Sequence, residues 1–328
     1  MRPTKSILTR LLTVLLALPG ASHAAEPVPV IDVTDLYHPH QDVGDNFDVL
    51  AAYALPEIDL RAVILDCTEP FRQPVAKDPG PGLFPDASGP REPGFIPVWQ
   101  FNFVFGRNVL CATIPFGRMK SPGDKMLDAP PFQQQGIELI LRTLRESTEP
   151  VHIVSFGSAR AVAVAYNREP ELFQKKLARL HLCAGGSSPP APNYVEWNVA
   201  LDPQAIVRLL RSNLPIGPPL DDALLGKEHY VWETAVWICV SGRKLVKRPD
   251  GTHRIIPSAQ VQADDKVLPN ELRPCTVSVR DDGIYEFRET TKPTNFSVYY
   301  RGDPRGNEAA LREALPALYL AFQTRSKN

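Results

Sequence analysis

The sequence predicts an α/β fold, a mostly parallel sheet with helices on both faces. Three observations carry this. Short apolar runs alternate with amphipathic helical stretches through most of the chain. Those runs are almost continuously apolar, as strands buried on both faces must be. From about 236 to 301 the pattern turns to strand-like alternation with turn signals at "PDG" and "DDG", which predicts a small antiparallel β appendage near the C-terminus.

The elements follow in order. "PVIDVT" reads as a strand, "DNFDVLAAYAL" as a helix and "IDLRAVILDC" as a strand. After a Pro/Gly-rich loop, "IPVWQFNFVFGRN" reads as a helix and "VLCATIPF" as a strand. "FQQQGIELILRTLRES" sets Ile137, Leu139, Ile140, Leu141 and Leu144 on one broad apolar helix face. "PVHIVSF" is an apolar strand, and "SARAVAVAYNREP" starts a helix at a serine cap. "KLARLHLCAGG" is a buried strand closed by glycines, and "DPQAIVRLLRSN" a helix with an Asp cap and Pro at its first position. "AVWICVSGRKLVKRPDGTHRIIP" and "CTVSVRDDGIYEFRET" supply the appendage strands, and "NEAALREALPALYLAF" a closing helix.

The first residues point to export. Arg2, Lys5 and Arg10 precede the apolar "LLTVLLALPG", and "ASHAA" supplies small residues at cleavage spacing. This is the pattern of a secretory signal peptide over 1–24, which leaves 25–328 as one domain in a periplasmic or secreted protein. No later run approaches the ~20 apolar residues of a spanning helix, so no stable membrane insertion is expected. A net charge of −1 gives no electrostatic case for nucleic acid, and 43% hydrophobic residues suffice for a substantial core. The 34 prolines cluster in a few places and read as long ordered loops. Cys67, Cys111, Cys183, Cys239 and Cys275 show no zinc spacing and are odd in number. The first four lie in or beside apolar runs and read as small core residues rather than a disulfide framework.

Parallel sheets bind ligands beyond the carboxyl ends of their strands. Asp35 follows the first strand, Asp42, Asp45 and Asp48 follow within a loop and a helical turn, and Asp66 ends the second strand. Carboxylates gathered at one edge repel one another unless something positive sits among them, and a hard divalent cation with oxygen ligands is the natural answer. The alternative is that these aspartates cap the helix and face water. His38 and His40 form an HxH pair with Pro39 between them, which reads as a loop that packs or contacts substrate rather than as a zinc site. In "YVEWNVALDP", alternation sends Glu196 and Asn198 to one side and Trp197 to the other, and an acid beside an amide suits sugar hydroxyls as well as loop capping. Glu233 stands alone in the apolar "HYVWETAVW" and calls for a partner.

Together these stretches resemble the inosine–uridine-preferring nucleoside hydrolase family. The family opens with a strand and DxDPGxDDA, then a helix. "VIDVTD" and "DNFDVLAAYALPEIDLRAVI" look like its two halves with about five extra residues between them. "PVHIVSFGSARAVAVAYNREPEL" is similar to the family's "ITLVxxGPLTNLALAL…PEL", "LHLCAGG" to "VVMGGA", and "VEWNVALDPQAI" to "AEFNIxxDPEAA". The likeness runs over most of 28–218.

The resemblance implies a hydrolase that cleaves the N-glycosidic bond of a small ribosyl compound with the help of calcium. It implies metal ligation by Asp35, Asp45, the Phe156 carbonyl and Glu233, with Asp35 also the base for the attacking water. Glu196 and Asn198 match the residues that hold ribose hydroxyls, with His38 on the cleft wall and Asp42 as a further substrate contact. His229, one helical turn before Glu233, would protonate the leaving group. The family is often dimeric or tetrameric, so the resemblance leaves a homo-oligomer open. The chain departs from the family at Val33 and Gly44, where acids are usual, and at Thr68-Glu69, where Gly-Asn is usual. Those departures leave two rivals open: a binding protein that has lost catalysis, and a calcium-stabilised structural domain.

Overall fold

The computed structural model describes residues 26–38, 43–69, 91–184, 195–217 and 234–323. The signal-peptide segment, His40, Asp42, His229 and Glu233 lie outside the described residues, as does most of the first proline cluster.

Strands β1 (Val28–Thr34), β2 (Ile58–Leu65), β3 (Leu110–Thr113), β4 (Val151–Ser155), β5 (Leu177–Leu182) and β6 (Ile216–Gly217) run parallel. Helices α1 (Val43–Ala54), α2 (Phe95–Phe105), α3 (Pro131–Glu146), α4 (Arg160–Arg168), α5 (Pro170–Lys176), α6 (Trp197–Leu201) and α7 (Pro203–Leu210) lie between them. Beyond these come α8 (Thr234–Val240), β7 (Arg243–Lys247), β8 (His253–Pro257), β9 (Lys266–Val267), β10 (Glu271–Val279), β11 (Tyr285–Glu289), β12 (Phe296–Tyr300) and α9 (Pro304–Gln323). Among the described residues the main sheet has the order β11-β10-β12-β6-β5-β4-β1-β2-β3, and β8-β7-β9 form a separate sheet.

β1 is central, and its side chains divide between two cores by simple alternation. Ile31 and Val33 face the core that holds Ile137, Ile140, Val162 and Leu209 of α3, α4 and α7. Val30 faces the core that holds Val49, Ala52, Trp237 and Leu311 of α1, α8 and α9. α3 buries the five predicted residues against the sheet. It lies so close to β3 that a Cβ on Gly136 would come 2.7 Å from the Thr113 carbonyl oxygen.

The antiparallel strands fall into two groups. β7–β9 pair with one another, whereas β10–β12 extend the main sheet, joined to β6 through Phe296 and Ile216. One stretch expected as strand is helical: "AVWICV" forms α8. Ala235, Val236, Trp237 and Ile238 are all buried there, and a run buried on every side has no periodicity by which sequence can tell helix from strand. The five cysteines are free thiols; of the four expected in the core, Cys67 and Cys183 are buried while Cys111 and Cys239 are half-buried, and Cys275 is buried as well.

Candidate functional site

The carboxyl ends of β1, β2, β4 and β5 converge on a buried polar edge. Asn198 holds its centre. Its Nδ2 donates to the Phe156 carbonyl at 3.0 Å and to the Cys183 carbonyl at 2.6 Å, bracketing the ends of β4 and β5. Both amide hydrogens are thereby used, which leaves Oδ1 as the polar atom Asn198 can offer a ligand. Glu196 is the N-cap of α6, and its two carboxylate oxygens accept from the Asn198 and Val199 backbone N–H groups at 3.0 and 3.1 Å. Glu196 and Asn198 are both buried and Trp197 is exposed, but the reason is this capped helical turn and not strand alternation.

The other predicted residues lie as follows. Asp35 sits just beyond β1, half-buried, its carbonyl accepting from the Tyr37 N–H at 2.8 Å. Burial first, and then the Asp35 charge, pushes the Tyr37 phenol up. Asp45 is buried in the first turn of α1. His38 is half-buried and pairs through its backbone with Glu92, at 3.1 and 3.0 Å. Glu92 in turn accepts from the N–H groups of Gly94, Phe95 and Ile96 at the start of α2. Asp42, His229 and Glu233 lie outside the described residues. Among the described residues no group of three or more His, Cys, Asp or Glu side chains is arranged to hold a metal.

Asp66 has a different neutraliser from the cation expected for the aspartate cluster. Arg160, fully buried at the start of α4, uses all five of its N–H groups. Nε donates to Asp202 Oδ2 at 3.0 Å, Nη1 to the Pro115 and Gly117 carbonyls, and Nη2 to Thr68 Oγ1 and Ser158 Oγ. Ser158 Oγ contacts both Asp66 oxygens, at 2.7 and 2.9 Å. Burial pushes the Asp66 carboxyl up, and the Arg160 charge and the Ser158 hydroxyl act against it. The predicted serine cap is thus turned inward. Ala159, with φ +60°, is the N-cap of α4, and Ser158 accepts from the Arg160 N–H at 3.3 Å. Gly157 leaves room for Asp66, since a Cβ there would sit 2.9 Å from Asp66 Oδ2.

Sequence reasoning missed Arg160 and Asp32. Each leaves a visible signal: a lone arginine in the apolar "ARAVAVAY", and an acid inside the apolar strand "VIDVT". Asp202 was read as a helix cap, which it is, accepting from Ala205 N–H at 3.3 Å, and its other oxygen binds Arg160 and the Met119 N–H. A groove of about 690 Å3 lies elsewhere, lined by Phe95, Leu110, Phe132 and Arg142 of α2, β3 and α3, and contains none of the predicted site residues.

No family model matches the chain. It is 30% identical over 186 residues to the pyrimidine-specific ribonucleoside hydrolase RihA of Escherichia coli O1:K1, covering 52% of this chain and 55% of that one. To RihA of Escherichia coli O139:H28 it is 39% identical over 97 residues, 27% of this chain and 30% of that one. The chain thus spans about half the length, or less, of the curated relatives it matches. Among solved structures it is similar to an inosine–uridine preferring nucleoside hydrolase from Bacillus anthracis, with TM-score 0.53 and 14% identity over 89% of this chain and 99% of that one. A purine-preferring ribonucleoside hydrolase from Gardnerella vaginalis gives TM-score 0.50 and 13% identity over 89% and 99%. At these identities the likeness to solved structures shows the fold, a mostly parallel sheet clad by helices.

Proposed function

We propose that this chain is a nucleoside hydrolase that cleaves the N-glycosidic bond of a ribonucleoside or related ribosyl compound, a reading its partial likeness to RihA and its fold support. The protein would be exported, periplasmic or secreted, on the strength of its N-terminal pattern. The observation that carries the reading is the Asn198 bracket across Phe156 and Cys183, with the buried Glu196 carboxylate beside it. It sets fixed polar groups at the sheet edge where parallel folds bind their ligands.

The residues that match the family's metal ligands offer oxygen alone: the Asp35 and Asp45 carboxylates, the Phe156 carbonyl and, by sequence, Glu233. An all-oxygen set suits calcium, and the Asn198 bond occupies only one of the two lone pairs on the Phe156 carbonyl. When bound, calcium would lower the pKa of a water and draw in the ribose hydroxyls. Asp35 would take the proton as that water attacks the anomeric carbon. Glu196, its carboxylate oriented by the α6 backbone N–H groups, would contact a ribose hydroxyl. Asn198 would reach ribose through Oδ1, His38 would contact substrate from the cleft wall, and Asp42 and His229 keep their roles as substrate contact and leaving-group acid from sequence alone.

One observation favours a binding protein without turnover. Gly44, buried at the start of α1, stands where the family carries an acid that touches ribose. Incubation with purine and pyrimidine ribonucleosides, with calcium and with chelator, and assay of free ribose, separates the readings. The hydrolase reading expects ribose release that chelation and Asp35→Asn both abolish. Nucleoside binding without ribose release would overturn it.

A further inference from the structure

The main sheet stops at β3 while the helix layers on its two faces continue. Among the described residues β3 is the last strand, paired with β2 alone. α3 packs on one face of the sheet, through Leu139 and Ile140, and α2 on the other, through Val98. Beyond β3 the two helices leave between them the groove of about 690 Å3, and all four β3 residues, Leu110 to Thr113, line it. Phe95 lines it from α2, and Phe132 and Leu139 line it from α3. Leu110 is 48% exposed and Phe132 58%, so apolar surface stands open there.

The form of this slot selects its occupant. An edge strand turns a row of N–H and C=O groups outward, and another extended backbone is what pairs with such a row. A strand seated between two helix layers is buried on both faces and is therefore apolar on both. Charge is confined to one end. α3 joins β3 to the parallel β4 and so runs back along β3, and a Cβ on its Gly136 would meet the Thr113 carbonyl. From Gly136 to Arg142 the helix advances about 9 Å. From Thr113 back to Leu110 the strand covers about 10 Å. Arg142 is thus level with Leu110, at the end of the slot where β3 begins. Its helix neighbours are engaged, Glu138 with Arg168 and Arg145 with Glu169, whereas Arg142 forms no ion pair among the described residues. A strand that enters antiparallel to β3 ends there, where its terminal carboxylate meets a guanidinium.

We propose that this slot binds the C-terminal end of another polypeptide as an added strand. The last residues of that partner, about four to match β3, pair antiparallel with it. Their apolar side chains alternate between Phe95 on one face and Phe132 and Leu139 on the other. The terminal carboxylate sits at Arg142. None of the candidate site residues takes part, so the inference stands apart from the hydrolase reading.

The test is fluorescence anisotropy on the full chain with a fluorescein-labelled peptide, Gly-Ser-Val-Tyr-Val-Ile, that ends in a free carboxyl. Saturable binding is expected. The same peptide with an amidated end should bind about tenfold more weakly, the loss of one charge-assisted contact. A peptide with Pro-Pro in place of Val-Tyr should not bind, because it lacks two successive strand donors. Arg142→Gln should weaken the free-acid peptide about tenfold and leave the amidated one unchanged. Phe132→Ala should weaken both. Arg142 and Phe132 are exposed, so both variants should keep the parent Tm. No saturable binding by the parent, as when the chain itself fills the slot, overturns the inference. Binding that ignores amidation, the prolines or Arg142→Gln overturns it as well. Sedimentation at the same concentrations reads self-association: a parent dimer that Phe132→Ala disperses gives the slot to a second copy and likewise overturns it.

Discussion

Arg160 Nε lies 3.0 Å from Asp202 Oδ2, and neither side chain is exposed. The guanidinium also reaches Thr68, Ser158 and two backbone carbonyls, so it ties the ends of β2 and β3 to α4 and α7. Removing it strands Asp202 and Asp66 in a dry interior. Arg160→Met is expected to cost about 3–5 kcal/mol in urea denaturation. Arg160→Lys should also destabilise clearly, since an ammonium has three donors and no planar fork. A lysine variant as stable as the parent would show that charge alone matters here.

Asn198 is the sole donor described here to two strand-end carbonyls, those of Phe156 and Cys183. Asn198→Ala should cost about 1–3 kcal/mol for the unpaired buried carbonyls. Asn198→Asp should be worse, because it turns a carboxylate toward both. In the hydrolase reading the alanine variant also loses ribose release at temperatures where circular dichroism shows it folded. Full activity in that variant would remove Asn198 from the site.

Gly157 separates the Phe156 carbonyl from Ser158, and its missing side chain is the space Asp66 fills. Gly157→Ala would press a methyl to 2.9 Å from Asp66 Oδ2. Because Ser158 pins that carboxylate, the expected loss is about 1–3 kcal/mol by thermal or urea melting. A neutral effect would mean that Asp66 can turn aside.

Acid should weaken the protein through histidine. His152 Nδ1 and His181 Nε2 are 2.9 Å apart, and His181 Nδ1 lies 2.6 Å from the Tyr299 hydroxyl. Burial, helped by Arg179, holds His152 down to about 4, and burial, with His152 and Arg179, holds His181 well below its ordinary value. The unfolded chain binds these protons below pH ~6.5 and the folded one does not, so stability falls as pH drops from about 6.5 toward 4. The slope reaches at most ~1.4 kcal/mol per pH unit for each proton taken up. Replacing both histidines by glutamine should flatten that part of the pH–stability curve. An unchanged curve would assign the acid loss to other groups.

Periodicity was enough for most of the fold. α3 shows its buried stripe in sequence, and the parallel strands show theirs as unbroken apolar runs. α8 was misread because Ala235 to Ile238 are buried all round and carry no period. At the site, Glu196 and Asn198 could be named, but their contacts could not, since a cap and a bracket depend on where β4 and β5 end. The partner of Asp66 was hidden for the same reason: Arg160 is ninety-odd residues away in sequence and meets it through Ser158, where the segments after β2 and β4 come together. Asp32 was legible as an anomaly, an acid in a buried strand, and only strand register shows which helices it faces.

Among the described residues, β6 is the hydrogen-bonded stitch between the parallel strands and β10–β12. A sheet that joins a parallel half to an antiparallel one need not open all at once. The β10–β12 flap can lift as a sub-global unit while β1, β2, β4 and β5 stay closed. The His181–Tyr299 contact spans that seam, as does Arg179 to Ser297 at 3.3 Å. Protonating the histidines therefore loosens the fastening as well as the core, and acid would unpick this protein from its C-terminal strands inward.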